Sequence, residues 1–171
     1  AGYDTVDVEA ATRRGIPVVL APVGGFAVAE GAVAMLLTLI KHLPQADEWV
    51  KTGQWNQRYN TPCGDLTGHT VGIVGFGRIG QHLARLVQPF DLRTVAFDPQ
   101  VPADAMADLG VEKVDLETLL TQSDYVSLHV PLLAETKGLI TADRLAQMKR
   151  GAILINTSRG ALIDASAAID A

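Results

Sequence analysis

Residues 71–80 read Val71-Gly72-Ile73-Val74-Gly75-Phe76-Gly77-Arg78-Ile79-Gly80, which sets three glycines at G-x-G-x-x-G spacing. Alone, that spacing is a weak signal. Here it follows an apolar run of β type and opens a helical pattern, the context in which it holds a dinucleotide. The three positions serve different needs. Gly75 permits a tight turn, Gly77 lets the backbone approach a pyrophosphate, and Gly80 lets the helix pack against the strand. The helix start then presents N–H groups and the positive end of a dipole to the phosphates. The competing reading is a glycine-rich turn with no ligand.

Asp98 lies eighteen residues after Gly80 and closes the next β-type run. A carboxylate there accepts hydrogen bonds from the adenosine ribose hydroxyls. It also repels a 2′-phosphate, which predicts NAD rather than NADP as cofactor. Otherwise Asp98 simply begins a turn with Pro99.

Two more segments fall at strand ends, His129-Val130-Pro131 and Asn156-Thr157-Ser158-Arg159-Gly160. Ligands of such sheets bind beyond the carboxyl ends of the strands, so both segments are expected to face the crevice. Arg159 on a strand-end loop is suited to holding a carboxylate by two parallel hydrogen bonds. A surface salt bridge is the alternative. Hydride chemistry on a carbonyl also needs a proton donor near neutral pH, so the four histidines are candidates. His42 ends a helical pattern and reads as structural. His69 precedes the first strand, at its wrong end, and His82 reads as a packing residue of the following helix. Only His129 is on the functional edge, and position alone nominates it as an acid. Glu30, the one charge in a very apolar helix, reads as structural in the first turn. No Cys/His cluster has metal-ligand spacing, and there is no G-x-S-x-G nucleophile motif.

The elements that must position these residues alternate regularly from Thr70 onward. Strands are predicted over 71–74, 94–97, 125–130 and 152–156, and helices over 78–87, 103–109, 116–121 and 141–149. Thr141 and Asp164 are candidate N-caps, and Gly151 follows a helix end. Short apolar strands alternating with helices mean a parallel sheet covered on both faces, an α/β doubly wound fold of the Rossmann type. Upstream, the pattern predicts a helix over 8–14 ended by Gly15, a strand over 17–20, and a helix over 27–43. That last helix is apolar nearly all round and is expected to be buried. Residues 53–68 read as a long connection. Residues 1–23 look like the end of a different unit, and residues 24–171 like the dinucleotide-binding one.

Bulk properties narrow the function. Net charge is −5 and no basic run exceeds two residues, which disfavours a nucleic-acid partner. The longest largely apolar run, residues 31–40, is too short to span a bilayer. No leader pattern is visible, and the single cysteine, Cys63, cannot form an internal disulfide. A cytoplasmic setting is the expectation.

These segments, taken in order, resemble the D-isomer-specific 2-hydroxyacid dehydrogenases. The stretch Ala1-Gly2-Tyr3-Asp4-Thr5-Val6-Asp7, continued by Ala10-Ala11-Thr12-Arg13-Arg14-Gly15-Ile16-Pro17-Val18-Val19, is similar to the end of their substrate-binding domain, a flavodoxin-like unit. Val28-Ala29-Glu30 resembles the start of their interdomain helix. The glycine motif, Ser127-Leu128-His129-Val130-Pro131-Leu132 and Asn156-Thr157-Ser158-Arg159-Gly160-Ala161-Leu162-Ile163-Asp164 match the rest.

The resemblance implies an NAD-dependent oxidoreductase that exchanges a hydride between NADH and a 2-keto acid or D-2-hydroxyacid, working as a homodimer. It implies that Arg159 binds substrate and polarises its carbonyl. It implies cofactor contacts from Arg78, Ile79 and Asp98, with His129, Val130, Pro131, Thr157, Ser158 and Arg159 itself lining the cofactor. Ala1 and Gly2 match a turn that meets the substrate carboxylate. The family's acid is a histidine paired with a glutamate, both downstream of the arginine segment. His129 matches neither, which makes it a cofactor-side residue rather than the acid. By the same comparison the chain begins inside the substrate-binding domain and ends before that pair. A dinucleotide-sensing corepressor, or a relative acting on formate or phosphite, would use the same scaffold.

Overall fold

The computed structural model describes residues 2, 3, 5–21 and 24–170. Its centre is a five-stranded parallel sheet built from β1 (Thr70–Val74), β2 (Arg93–Phe97), β3 (Glu112–Lys113), β4 (Tyr125–Leu128) and β5 (Ile153–Asn156), in the order β3-β2-β1-β4-β5. The order reverses between β1 and β4. That switch point opens a crevice at the carboxyl ends of the strands. The pairing register sets Val74 beside Phe97 and Leu128, and Leu128 beside Asn156. The residues that follow these four therefore gather on one edge.

Helices cover both faces, as the apolar strands require. On one side, α2 (Gly25–Ile40) and α4 (Arg78–Val87) pack Ala29, Ala32, Leu36, Leu83, Ala84 and Val87 onto Val71, Ile73, Tyr125 and Ile155. On the other, α6 (Leu116–Gln122) brings Leu116, Leu119 and Leu120 against Val74, Val95, Val126 and Leu128. The period of two along β1 and β4 divides their side chains between these two cores.

Caps define several element ends. Thr141 accepts the Arg144 N–H at the start of α7 (Ala142–Gln147), and Asp164 accepts the Ser166 and Ala167 N–H groups at the start of α8 (Ala165–Asp170). Both match the expectation from sequence. A short α5 (Ala103–Ala107) joins β2 to β3.

Four upstream expectations need correction. The segment 17–20 is not a strand, because none of the five strands lies beside it, and Val19 is 85% exposed. The helix predicted over 27–43 runs instead from Gly25 to Ile40. His42 then turns left-handed (φ 50°) and starts α3 (Leu43–Lys51), a helix that the sequence pattern did not reveal. Pro44 sits in the first turn of α3, where its missing N–H costs nothing. Nor is α2 buried all round. One stripe faces the core, while Phe26, Met35 and Leu39 are about half exposed. Finally, Glu30 is the sixth residue of α2, beyond the first turn, and is exposed. The helix α1 (Val8–Arg13) buries no residue among those described, and neither does the rest of 2–21.

Among the described residues no single helix is long and apolar enough to cross a membrane. The α2–α3 pair reaches that length only together, with a bend of 58°, and the buried stripe of α2 is packed on the sheet.

Candidate dinucleotide and substrate site

The glycine turn forms where β1 hands over to α4. Gly75 has φ +94°, a conformation that a side chain resists. A Cβ there would also meet the carbonyl of His129 and the Val130 side chain at 2.8 Å. The end of β1 and the end of β4 thus touch at the switch point, and His129 N–H donates to the Val74 carbonyl at 2.7 Å. At Gly80 a Cβ would run into the Gly75 carbonyl oxygen and press on Ile73. Gly77 differs, because a Cβ there meets nothing within 4 Å. Its face opens on free space at the start of α4, a cradle that a methyl group would fill. Beside it, the methylenes of Arg78 lie over Gly25, so the starts of α2 and α4 converge at the same mouth.

Asp98 follows β2 on the adjacent side. Its Oδ2 accepts the Phe76 N–H at 2.8 Å and its Oδ1 accepts the Gln100 N–H at 2.9 Å. The carboxylate therefore ties the glycine turn to the end of β2.

On the far side of the switch point lie the segments after β4 and β5. His129 Nε2 pairs with Ser127 Oγ at 2.9 Å, and Ser127 is buried. Burial lowers the His129 pKa from the ordinary 6.5 to about 4, so the imidazole is neutral at physiological pH. Its Nδ1 and the Thr157 Oγ1 are both buried with no hydrogen-bond partner among the described residues. Positions 129 and 157 each follow directly on a residue of the last register pair, Leu128 and Asn156. Val130 is half-buried and Pro131 exposed.

The loop after β5 is closed by its own hydrogen bonds. Asn156 Oδ1 accepts the Ser158 N–H at 3.0 Å, and Asn156 Nδ2 donates to the Arg159 carbonyl at 2.8 Å. Ser158 Oγ donates to the Leu128 carbonyl at 3.0 Å, which ties the loop to β4. Arg159 is half-buried, and its Nη1 donates to the Ser158 carbonyl at 3.1 Å.

Comparison with known proteins decides the family. Residues 33–171 match the family described as "D-isomer specific 2-hydroxyacid dehydrogenase, NAD binding domain". The chain belongs to this family.

Among its relatives is the glyoxylate reductase of Thermococcus litoralis, 43% identical over 99% of this chain and 54% of that protein. Among solved structures, the apo D-lactate dehydrogenase of Escherichia coli superposes with a TM-score of 0.90 at 41% identity, over 99% of this chain and 54% of that one. The Aquifex aeolicus D-lactate dehydrogenase, solved with NAD and lactic acid, gives a TM-score of 0.90 at 34% identity, over 99% of this chain and 51% of that one. The chain thus spans about half the length of these three proteins, and about a third of the D-3-phosphoglycerate dehydrogenases that it also matches.

As a member of the D-2-hydroxyacid dehydrogenase family, the chain brings most of the residues singled out from sequence to one edge. Gly75, Gly77, Arg78, Ile79 and Gly80 line the β1–α4 turn, and Asp98 sits beside them. His129, Val130, Pro131, Thr157, Ser158 and Arg159 face them from the ends of β4 and β5. Gly2 is exposed in the N-terminal segment, and Ala1 lies outside the described residues. His42 joins α2 to α3, His69 stacks on Tyr125 at 5.6 Å at the opposite end of the sheet, and His82 meets Phe26 edge-on at 5.3 Å. None of these three is at the edge.

The donor set fits a dinucleotide: an open glycine face at a helix start, a carboxylate one strand away, and, across the switch point, two buried polar atoms left without a partner among the described residues. The sequence pattern placed Ser127 and Asn156 within the matching segments but assigned neither a role of its own. The signal for Asn156 was present, because an Asn at a strand end before a tight loop is the residue type that bonds its own backbone two residues on.

Proposed function

We propose that the protein carrying this chain is an NAD-dependent D-2-hydroxyacid dehydrogenase, and that residues 24–171 are its dinucleotide-binding domain. The supporting observation is the placement of Arg159 across the switch point from the glycine turn. When bound, NADH supplies the hydride to the C2 carbonyl of a 2-keto acid. The chain's own groups do the rest of the work on this half. Gly77 and the start of α4 receive the pyrophosphate, with Arg78 and Ile79 beside it. Asp98 accepts from the adenosine ribose. The faces of His129, Val130, Pro131, Thr157 and Ser158 wall the nicotinamide side.

Arg159 holds the substrate carboxylate and polarises the carbonyl oxygen, where negative charge grows during the transfer. His129 stays neutral and donates no proton. The acid is assigned to the family's histidine–glutamate pair, which the resemblance places after the arginine segment. Residues 1–23 are read as part of the substrate-binding domain, with Ala1 and Gly2 near the substrate carboxylate. The lack of burial among the described residues 2, 3 and 5–21 agrees with a segment whose packing partners lie elsewhere.

The same reading carries a homodimer, for which the half-exposed Met35, Leu39 and Leu43 along α2 and α3 offer an apolar face, and a cytoplasmic setting. The test is oxidation of NADH, followed at 340 nm, with glyoxylate, pyruvate and larger 2-keto acids. Turnover with at least one of them is expected. No turnover with any, by a protein that binds NADH, would contradict the proposal.

A further inference from the structure

We propose that Asn156 is a positioning residue for the reaction, acting through Arg159, an inference that rests on the dehydrogenase reading above. Asn156 is the last residue of β5, where its backbone is fixed in register against Leu128 of β4. From that rigid point its side-chain amide makes two bonds in opposite senses, accepting from the Ser158 N–H at 3.0 Å and donating to the Arg159 carbonyl at 2.8 Å. The Arg159 carbonyl is held a second time, by the Leu162 N–H at 3.1 Å. The backbone that carries the guanidinium is therefore pinned from both sides, and Asn156 provides the pin that leads back to the sheet.

The chemistry of the amide explains the residue type. One bond needs an acceptor and the other a donor, separated by the width of an amide group. Asp supplies the acceptor but sets a carboxylate oxygen against the Arg159 carbonyl, where both are acceptors. Gln moves both groups out by a methylene, and Ala removes both. Released from Asn156, the loop is still tied to β4 through Ser158 Oγ, so the fold survives while the arginine backbone shifts. Since Arg159 orients the substrate, a displacement of about 1 Å costs on the order of 10²-fold in rate.

The test is a double-mutant cycle in the dehydrogenase that carries this chain, using glyoxylate or the best 2-keto acid of the panel. Asn156→Ala is expected to lower kcat/KM on the order of 10²-fold, with the NADH dissociation constant changed by less than about threefold. In the Arg159→Ala background the same change is expected to add nothing, because a residue that acts through Arg159 has nothing left to position. Asn156→Asp carries the same cycle if the alanine protein does not fold.

Effects that multiply in the double variant would overturn the proposal, and so would loss of NADH binding in step with activity, since either means that Asn156 serves the fold at large. A wild-type protein that turns over no 2-keto acid would remove the dehydrogenase reading and this inference together. A wild type that turns over substrate with a multiplicative cycle would remove only the inference.

Discussion

The Asp98 carboxylate accepts the Phe76 N–H at 2.8 Å, across the boundary between β2 and the glycine turn. Phe76 is itself fully buried between the first two glycines of the motif. One carboxylate thus holds the turn in shape while standing where the adenosine ribose is expected. Asp98→Ala is predicted to weaken NADH binding by about tenfold or more, since it removes a charge-assisted bond of about 1.5–3 kcal/mol along with the ribose acceptor. Asp98→Asn separates the two roles. It keeps one acceptor for the Phe76 N–H, gives up the bond from the exposed Gln100 N–H and loses the charge, so NADPH binding should rise relative to NADH at a stability cost of about 1–2 kcal/mol. Fluorescence titrations with both cofactors check this. An unchanged ratio in Asp98→Asn would contradict the assignment.

Gly77 and Gly80 are predicted to separate binding from folding. A methyl group on Gly77 meets open space, and its φ of −73° suits any residue. Gly77→Ala should therefore melt as the wild type does yet bind NADH roughly tenfold or more weakly, about 1.4 kcal/mol. Gly80→Ala forces a methyl into the Gly75 carbonyl and should cost about 1–3 kcal/mol of stability or more, whether or not cofactor is present. Melting curves with and without NADH distinguish the two. A Gly77→Ala protein with unchanged affinity would show that the open face is not the phosphate cradle.

His129 is predicted to titrate near pH 4, far below an ordinary histidine. Burial disfavours the charged imidazole, so the unfolded chain binds this proton more readily than the folded one. Between about pH 6.5 and pH 4 the folded state therefore loses stability as pH falls, by up to about 1.4 kcal/mol per pH unit from this group. Above pH 6.5 His129 contributes no slope. Proton NMR of the imidazole carbon-bound hydrogens measures the midpoint directly. A midpoint near 6.5 would return His129 to the list of possible acids.

Legibility in the sequence followed the range of the interactions. The β1–α4 unit was readable because its signals are local: an apolar run, three glycines and a helical period, all inside residues 70–87. The caps at Thr141 and Asp164 were readable for the same reason, since each side chain bonds a backbone two or three residues away.

The break after α2 was not, because the apolar pattern runs on through Leu43 and only the left-handed turn at His42 ends the helix. The segment 17–20 has the composition of a strand, but a strand also needs a neighbour. The burial of α2 was overestimated because an all-apolar helix does not say which stripe will meet the sheet. Asn156 was passed over inside its motif, and its role depends on where Ser158 and Arg159 fold back in space.

In the proposed enzyme this dinucleotide domain presents Arg159 to a 2-keto acid. The most direct test is steady-state kinetics of Arg159→Ala, beside the wild type, in the protein that carries this chain, with the NADH dissociation constant measured on the same samples. A fall in kcat/KM for the 2-keto acid of about 10²-fold or more is expected, the scale seen when a group that stabilises charge in a transition state is removed, with NADH affinity nearly unchanged. Turnover equal to the wild type would contradict this role of Arg159.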